Sequence, residues 1–255
     1  AFDSLWQNNQ ILGTWDFVIN GPVEFNKHSH GSQVLSTMGA NIPGSLVGTA
    51  PKASFYLLRT EDGASEFLIE EDHWVSGAEF ADSVGADLIT SSLSYTTFTN
   101  PSMDHSYSDL DGNTTRITQG ADIAASKGIL VITSAANEGN KNWHYIGAPA
   151  DGDSVLTVGS VDSQGNYSAF SSTGPSYDGR IKPNLTAQGD GTAIAASSGT
   201  IIFGTGTSYS TPVISGIAAC LWQSNKSLTN MEIIKALESS ASQAKPSWSS
   251  TVAMP

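Results

Sequence analysis

The sequence predicts an α/β fold with three layers, in which a mostly parallel sheet is covered by helices on both faces. Two kinds of segment alternate along the chain: short β-rich apolar runs, and longer stretches with apolar residues three or four positions apart. Such alternation is typical of parallel strands joined by helical crossovers. The chain of 255 residues has no linker-like or repeated segment, so residues 1–255 are predicted to form a single domain.

Four runs are predicted to be buried strands, because they are apolar and bounded by Gly, Pro or Asp; they are 53–60, 86–93, 128–136 and 153–161. The segments 70–85 and 114–128 are predicted helices, since each starts with acidic or hydroxyl residues and stops at a glycine. In a parallel sheet, binding and catalytic groups collect beyond the carboxyl ends of the strands. The residues that follow these strands are therefore the first candidates for a site.

Composition excludes several classes of partner. Acidic residues outnumber basic residues 24 to 11, which gives a net charge of −13 and argues against binding to nucleic acid or to an anionic membrane. No apolar run is long enough to span a bilayer. The low lysine content and the many small polar residues favour a secreted or cell-envelope protein. Cys220 is the one cysteine, which excludes an intramolecular disulfide, and we expect it to pack in the interior.

The segment GTGTSYSTPVISGIAAC, residues 204–220, places a glycine-rich turn and several hydroxyl residues before a small, apolar helix. A helix start offers free N–H groups and the positive end of the helix dipole. Pro212 is expected in the first turn, where its missing N–H costs nothing. The hydroxyl groups could cap the helix, or a serine in the tight turn could be a nucleophile. This segment alone leaves both interpretations open.

Two other segments carry groups suited to acyl transfer. His30 stands at a predicted helix start, where it is either a general base or a surface or capping residue. Asn137 follows the third predicted strand, and is either a turn residue or an amide donor to an oxyanion. His28 and His30 form a His-x-His pair, but no third ligand accompanies them at a spacing typical of metal sites.

Taken together, HGSQVLS, SAANEGN and GTSYSTP resemble the motifs HGT-x-VAG, AAGNEG and GTSMASP of the subtilisin-like serine proteases. The order and spacing of the motifs agree as well. The stretches FSSTGP and RIKPNLTAQG are similar to the family's FSS-x-GP and KPDVVAPG. The resemblance thus covers nearly the whole chain.

This resemblance implies a serine endopeptidase that hydrolyses peptide bonds of proteins or peptides through an acyl-enzyme on Ser208. It implies His30 as the general base and acid, and Asn137 with the backbone N–H of Ser208 as the oxyanion hole. The implied substrate-binding residues pair with the substrate backbone or line the pocket for the side chain before the cut; they are Ser92, Leu93, Ser94, Tyr95, Ala135 and Ala136.

The family's catalytic aspartate, in a pattern like V-I-D-[ST]-G, has no counterpart here. Asp3 has no strand before it and Leu5 stands where a glycine is needed, whereas Asp16 lies on a strand too close to His30. We therefore expect the first strand and its aspartate to lie upstream, with the chain's own N-terminal fragment as a partner. The alternative is a catalytically impaired or non-catalytic, peptide-binding relative.

Other functions fit less well. An α/β-hydrolase esterase needs G-x-S-x-G and a later histidine, but no histidine follows Ser208. GTGTSY lacks the third glycine of a dinucleotide-binding loop. No cofactor is expected: the acidic run 108–115 lacks the final glutamate of a calcium loop, so its Asp111 and Asn113 are predicted turn and cap residues, and structural calcium is not supported. The acidic run 70–74 is predicted to be a helix start.

Overall fold

The computed structural model describes residues 1–25 and 27–242. Its α-helices are α1 (Asp3–Gln7), α2 (His30–Gly39), α3 (Ile69–Ser83), α4 (Arg116–Ser126), α5 (Thr207–Ser224) and α6 (Asn230–Ser240). Its strands are β1 (Ile11–Asp16), β2 (Asn41–Ile42), β3 (Leu46–Val47), β4 (Phe55–Arg59), β5 (Leu88–Ser91), β6 (Leu130–Ser134), β7 (Leu156–Val161), β8 (Leu185–Gln188), β9 (Asp190–Ala195) and β10 (Ile201–Thr205). Each predicted strand and helix overlaps one of these elements; residues 243–255 of the predicted domain lie outside the described residues.

The parallel strands form two groups. β1 pairs with β4, and β5, β6, β7 and β8 pair in that order. The short pairs β2–β3 and β9–β10 are antiparallel hairpins at the periphery. The prediction of a mostly parallel sheet is therefore confirmed.

Helices cover both faces of this sheet. Val131 of β6 packs in a cluster with side chains of α3 and α4, including Trp74 and Ile117. Its neighbour Ile132 points to the opposite face and packs with Ile214 of α5 and with α6. The alternation of side chains along one buried strand thus fills two separate cores, which gives the three predicted layers.

Between β4 and β5 the sheet is interrupted. No hydrogen bond joins these two strands within the described residues, although α3 lies over both of them. A Cβ built on Gly77 of α3 would lie 3.4 Å from Cγ2 of Thr60, just after β4, and Trp74 Nε1 donates to Ser91 Oγ of β5 at 2.9 Å. Two strands under one helix therefore face each other with unpaired edges.

Two smaller results concern the surface. Cys220 is exposed, and its thiol lies 3.5 Å from the carbonyl oxygen of Thr49, so the prediction of a buried cysteine is wrong. It was based on the apolar run around it, but α5 turns this position away from the sheet. In the described ranges, no helix has the length and apolar character needed to cross a membrane.

Candidate active site

Ser208 is the second residue of α5, directly after the turn at Gly206. The first N–H groups of a helix have no partner within the helix. Among residues 1–25 and 27–242, no acceptor lies within hydrogen-bonding distance of the Ser208 N–H, whereas the N–H of Thr207 is taken by Asn137. Ser208 thus combines an accessible hydroxyl with a free backbone donor at the positive end of a long helix.

Pro212 lies in the second turn of α5, so its predicted place in the first turn is wrong. Because proline has no N–H, the carbonyl of Ser208, four residues earlier, lacks its helical donor. Ser92, just after β5, supplies a donor instead: its Oγ lies 2.9 Å from the Ser208 carbonyl oxygen. The Ser208 Oγ in turn lies 3.5 Å from the carbonyl oxygen of Ser92. The proline therefore permits a contact that ties the helix start to the end of the strand.

Asn137 is held by the start of α5. Its Oδ1 accepts hydrogen bonds from the N–H of Thr207 at 2.9 Å and from Thr207 Oγ1 at 3.0 Å. Since the amide oxygen is used in this way, Nδ2 remains a donor, and it has no acceptor in the part of the chain that the structure describes. A Cβ built on Gly206 would lie 3.7 Å from that Nδ2 and 3.8 Å from the Ser208 nitrogen, so both donors border one space.

The backbone before Asn137 is strained. Ala136 has a φ of 85°, a conformation that residues other than glycine rarely adopt and that costs about 1–3 kcal/mol. The carbonyl oxygen of Ala136 accepts a hydrogen bond from the N–H of Ser172 at 3.0 Å. The N–H of Glu138 donates to the side chain of the same serine, Ser172 Oγ, at 2.9 Å. These bonds fix the turn that points Asn137 towards α5.

His30 is the first residue of α2, which packs against α5. Within the first turn of each helix, Tyr209 Oη donates to Gln33 Oε1 at 2.8 Å and holds the two helix starts side by side. Burial, and secondly the neighbouring His28, lower the pKa of His30 below its ordinary value. His30 is therefore neutral near pH 7, as a general base must be. In the described ranges no hydrogen bond joins it to Ser208.

Neither aspartate considered from the sequence contacts His30. Asp3 is the exposed first residue of α1. Asp16, at the end of β1, is fully buried and binds Arg59 at 2.8 Å while accepting the N–H groups of Val18 and Ile19. Burial alone would raise the pKa of Asp16, but the bonds from Arg59 and the backbone lower it below its ordinary range. Its role here is to pair β1 with the end of β4.

A cleft of about 360 Å³ opens at Ser208. Six residues that the sequence singled out line it: Ser92, Leu93, Ser94, Ala136, Asn137 and Ser208. Ala135 and Tyr95 lie behind this wall and are buried. The N–H and carbonyl of Tyr95 pair with Ala148 at 2.9 and 3.1 Å, so the pairing of its main chain with a substrate stays a prediction.

Sequence reasoning did not anticipate the acidic side of this cleft. Glu61 and Glu66, which follow β4, line it together with the serines, and Glu138 also lines it, in an ion pair with Lys141 at 2.9 Å. The signal was present in the run TEDGASEF, directly beyond a predicted strand end. It was overlooked because the acids belong to no motif shared with the family.

In both acidic segments considered for metals, an acidic side chain binds protein groups; in the segment 70–74, Asp72 pairs with Arg116 at 2.8 Å. Asp111 Oδ1 accepts the N–H groups of Asn113 at 2.8 Å and Thr114 at 2.9 Å, as a turn residue does. Glu70 and Glu71 stand in the first turn of α3. The expectation that no cofactor is used stays a prediction.

This fold and site define a class of protein, the subtilisin-like serine proteases. Residues 7–252 match the model of the subtilase family, Peptidase_S8. Subtilisin DY from Bacillus licheniformis is 29% identical over 242 residues, which are 94% of this chain and 80% of that protein. Subtilisin E from Bacillus subtilis (strain 168) is 30% identical over 250 residues, 94% of this chain and 58% of that protein. The chain belongs to the subtilase family.

Solved structures support the same fold. A cold adapted subtilisin-like serine proteinase superimposes with a TM-score of 0.74 at 25% identity, over 93% of this chain and 77% of that one. The patellamide maturation protease PatA gives a TM-score of 0.71 at 23% identity, over 88% of this chain and 77% of its own. At the level of the family, the function is that of a serine protease.

Proposed function

We propose that this chain is a serine endopeptidase that cleaves proteins or peptides through an acyl-enzyme on Ser208. The observation that carries the proposal is the space beside Ser208 that two free donors border, Asn137 Nδ2 and the Ser208 N–H. Two convergent donors next to a hydroxyl are what an acyl-transfer site needs to stabilise an oxyanion. A simple helix cap would leave no reason for an asparagine donor to be directed there.

The steps follow from these groups. Ser208 Oγ attacks the peptide carbonyl carbon while His30 removes its proton, and the carbonyl oxygen, now negative, accepts bonds from Asn137 Nδ2 and the Ser208 N–H. The C–N bond then breaks, and the leaving amine takes the proton from His30. Water then attacks the ester carbonyl while His30 takes its proton, the acyl C–O bond breaks, and His30 returns the proton to Ser208 Oγ. Removing an asparagine donor of this kind lowers turnover on the order of 10²–10³-fold.

We also propose where the carboxylate that orients His30 enters. The strands β4 and β5 have free edges that face each other under α3. The carboxyl end of this gap adjoins the histidines, since a Cβ built on Gly63, after β4, would lie 3.4 Å from Cδ2 of His28. A parallel strand that fills the gap and ends in aspartate would deliver its carboxylate beside His30. The chain's own N-terminal fragment is the partner that we propose for this gap.

The natural setting is part of the proposal. The chain spans a little over half of the length of subtilisin E, so the activity of the whole protein is part of this proposal. We propose that it is secreted or resides in the cell envelope, because its composition is acidic, low in lysine and rich in small polar residues.

Labelling with a serine-directed fluorophosphonate tests the mechanism. We expect the probe to modify Ser208, as located by mass spectrometry, and Ser208→Ala to abolish labelling and proteolysis. Ser210→Ala is the matched control, because Ser210 lies in the same helical turn but its Oγ is buried and has no partner. Labelling that survives in Ser208→Ala, or that disappears equally in Ser210→Ala, would contradict the proposal. A chain that binds peptides but is never labelled would be a non-catalytic relative.

A further inference from the structure

Three glutamates gather beside the cleft that Ser208 and Asn137 line. Carboxylate oxygens of Glu61, Glu66 and Glu70 all lie within 4.8 Å of one another. Glu61 and Glu66 line the same cleft as Ser208, and Glu70 lies behind them at the start of α3. In the described part of the chain, no basic side chain forms an ion pair with any of the three. Arg59, the nearest cation along the chain, is already bound to Asp16 and Asp62.

The cluster contains an acceptor without a donor. Glu70 is 2% exposed, and its Oε2 is buried with no hydrogen-bond partner in the described residues. Ser94 Oγ, on the neighbouring wall of the cleft, is buried and unpartnered as well. A buried carboxylate oxygen left without a donor is unfavourable, and more so when it is charged. Such a group is expected to be satisfied by a ligand that donates.

We propose that Glu61, Glu66 and Glu70 form a specificity pocket that binds a positively charged side chain of the substrate, arginine or lysine. The inference deepens the proposed function and rests on it. The cluster opens into the space that also holds the nucleophile, and a cleft of about 360 Å³ is large enough for a long side chain. Each ammonium or guanidinium group brings several donors, which suits a cluster of acceptors that includes the unpartnered Glu70 Oε2.

A metal ion fits the same residues less well. The Tyr95 hydroxyl donates to Glu61, so one of the available oxygens already has a proton directed at it. Calcium takes six to eight oxygen ligands and zinc prefers histidine or cysteine, and neither set surrounds this cluster. A structural ion does not require the cluster to open towards Ser208, whereas a substrate side chain does.

The protonation of the cluster is consistent with a missing cation. Burial, and then the neighbouring acids, raise the pKa of Glu61 to about 7 and that of Glu70 to about 8. A bound cation favours the ionised carboxylates, so binding should release protons and strengthen as the pH rises from about 6 to about 9. The charged or titratable groups that face the two glutamates are Glu66, Asp62, Arg59 and Tyr95.

Peptide binding to the full chain tests the inference without requiring turnover. In the Ser208→Ala chain, fluorescence anisotropy would measure a peptide series in which one arginine is moved along the sequence, each peptide paired with a citrulline analogue of the same shape but no charge. We expect one position to bind arginine at least about 10-fold more tightly than citrulline. Glu66→Gln should reduce that ratio to below about 3-fold.

Glu138→Gln is the matched control, because Glu138 lines the same cleft but is paired with Lys141; the arginine preference should persist in it. Equal binding of arginine and citrulline peptides at every position, or no binding of any peptide, would overturn the inference. A calcium-dependent rise in melting temperature that Glu66→Gln removes, without an arginine preference, would overturn it in favour of a metal site. Fluorophosphonate labelling of the unmodified chain reports separately on the proposed function.

Discussion

The strands β4 and β6 have similar apolar sequences, FYLLR and LVITS, but very different surroundings. Every residue of β6 is buried, and β5 and β7 pair with its two edges. Every residue of β4 is half-buried, and only β1 pairs with it among the described residues. The apolar side chains of β6 belong to the two large cores, whereas those of β4 belong to neither.

This difference shows that an apolar run predicts a strand but does not predict how many strands pair with it. Such a run predicts that a segment is a strand, because both faces of a parallel sheet are covered. It carries no information about how many neighbours the strand has, since edge pairing uses backbone groups that all residues share. The half-buried apolar side chains of β4 are what the strand that we propose for the gap beside it would cover.

The largest effect is expected from filling the gap between β4 and β5. Added peptide VAVIDSG, an apolar strand that ends in aspartate, should raise the turnover of a peptide substrate by about 10⁴-fold, because the carboxylate orients His30. It should also raise the melting temperature, because it pairs two free edges. Initial rates and thermal scans at increasing peptide concentration measure the two effects.

The peptide VAVINSG separates the strand from its carboxylate. It should stabilise the chain as well as VAVIDSG does but leave turnover low, because asparagine holds the histidine in the wrong tautomer. If both peptides activate equally, the aspartate has no role in this gap. If neither peptide raises the melting temperature, the gap is not a strand-binding site.

A second prediction compares the cores. Ile132→Ala on β6 should lower the free energy of unfolding by about 2–5 kcal/mol, because the side chain is fully buried between β6 and the helices α5 and α6. Leu57→Ala on β4 removes a half-buried side chain and should cost about 1 kcal/mol. Urea unfolding measures both. With VAVIDSG bound, the cost of Leu57→Ala should increase while that of Ile132→Ala stays the same.

A third prediction concerns the contact that Pro212 permits. Ser92→Ala should leave the Ser208 carbonyl without a donor, and should lower stability by about 1 kcal/mol and the melting temperature by about 2–4 °C. Ser92→Thr keeps the hydroxyl and is the control. Differential scanning calorimetry measures the shift. An equal loss in both variants would mean that packing around Ser92, not its hydrogen bond, stabilises the helix start.

Much of the fold could be predicted from the sequence because its signals are local. The runs around Phe55 and Leu130 predicted strands, and the glycine-rich turn before Ser208 predicted the start of α5. The place of Pro212 could not be predicted, because the partner of the freed carbonyl comes from Ser92, 116 residues away in sequence. The predicted burial of Cys220 was wrong for a related reason, because apolar neighbours in the sequence do not determine which face of a helix a side chain occupies.

The positions of the candidate site residues were predictable in a similar measure, whereas their catalytic roles stay predictions. His30, Asn137 and Ser208 stand in recognisable motifs, and the structure brings Asn137 and Ser208 to one space. The cluster of Glu61, Glu66 and Glu70 was not predictable, because the turn between β4 and α3 brings these residues together and no short sequence pattern marks them. Their proximity is a property of the tertiary structure.

The last prediction uses one buried ionisable group from each of the contrasted regions, Lys182 and Glu70. In the paired region, the ammonium group of Lys182 donates to the carbonyl oxygens of Gly152 at 2.9 Å and Val155 at 2.8 Å. In the interrupted region, Glu70 Oε2 has no donor among the described residues. Burial lowers the pKa of Lys182 to about 8 and raises that of Glu70 to about 8, so the two groups should affect stability in opposite directions.

The folded chain keeps a proton on Glu70 that the unfolded chain loses near pH 4.5, so this contribution to stability is complete below pH 4.5 and is lost as the pH rises through about 8. The difference in unfolding free energy between the parent chain and Glu70→Gln should therefore fall across that window. For Lys182→Met the difference should rise between about pH 8 and the ordinary lysine value of 10.5, because there the unfolded chain binds more protons. Urea titrations of the three chains across these pH values measure both slopes. A flat difference for Glu70→Gln would show that the glutamate is ionised in the folded chain, and hence that a cation already balances it.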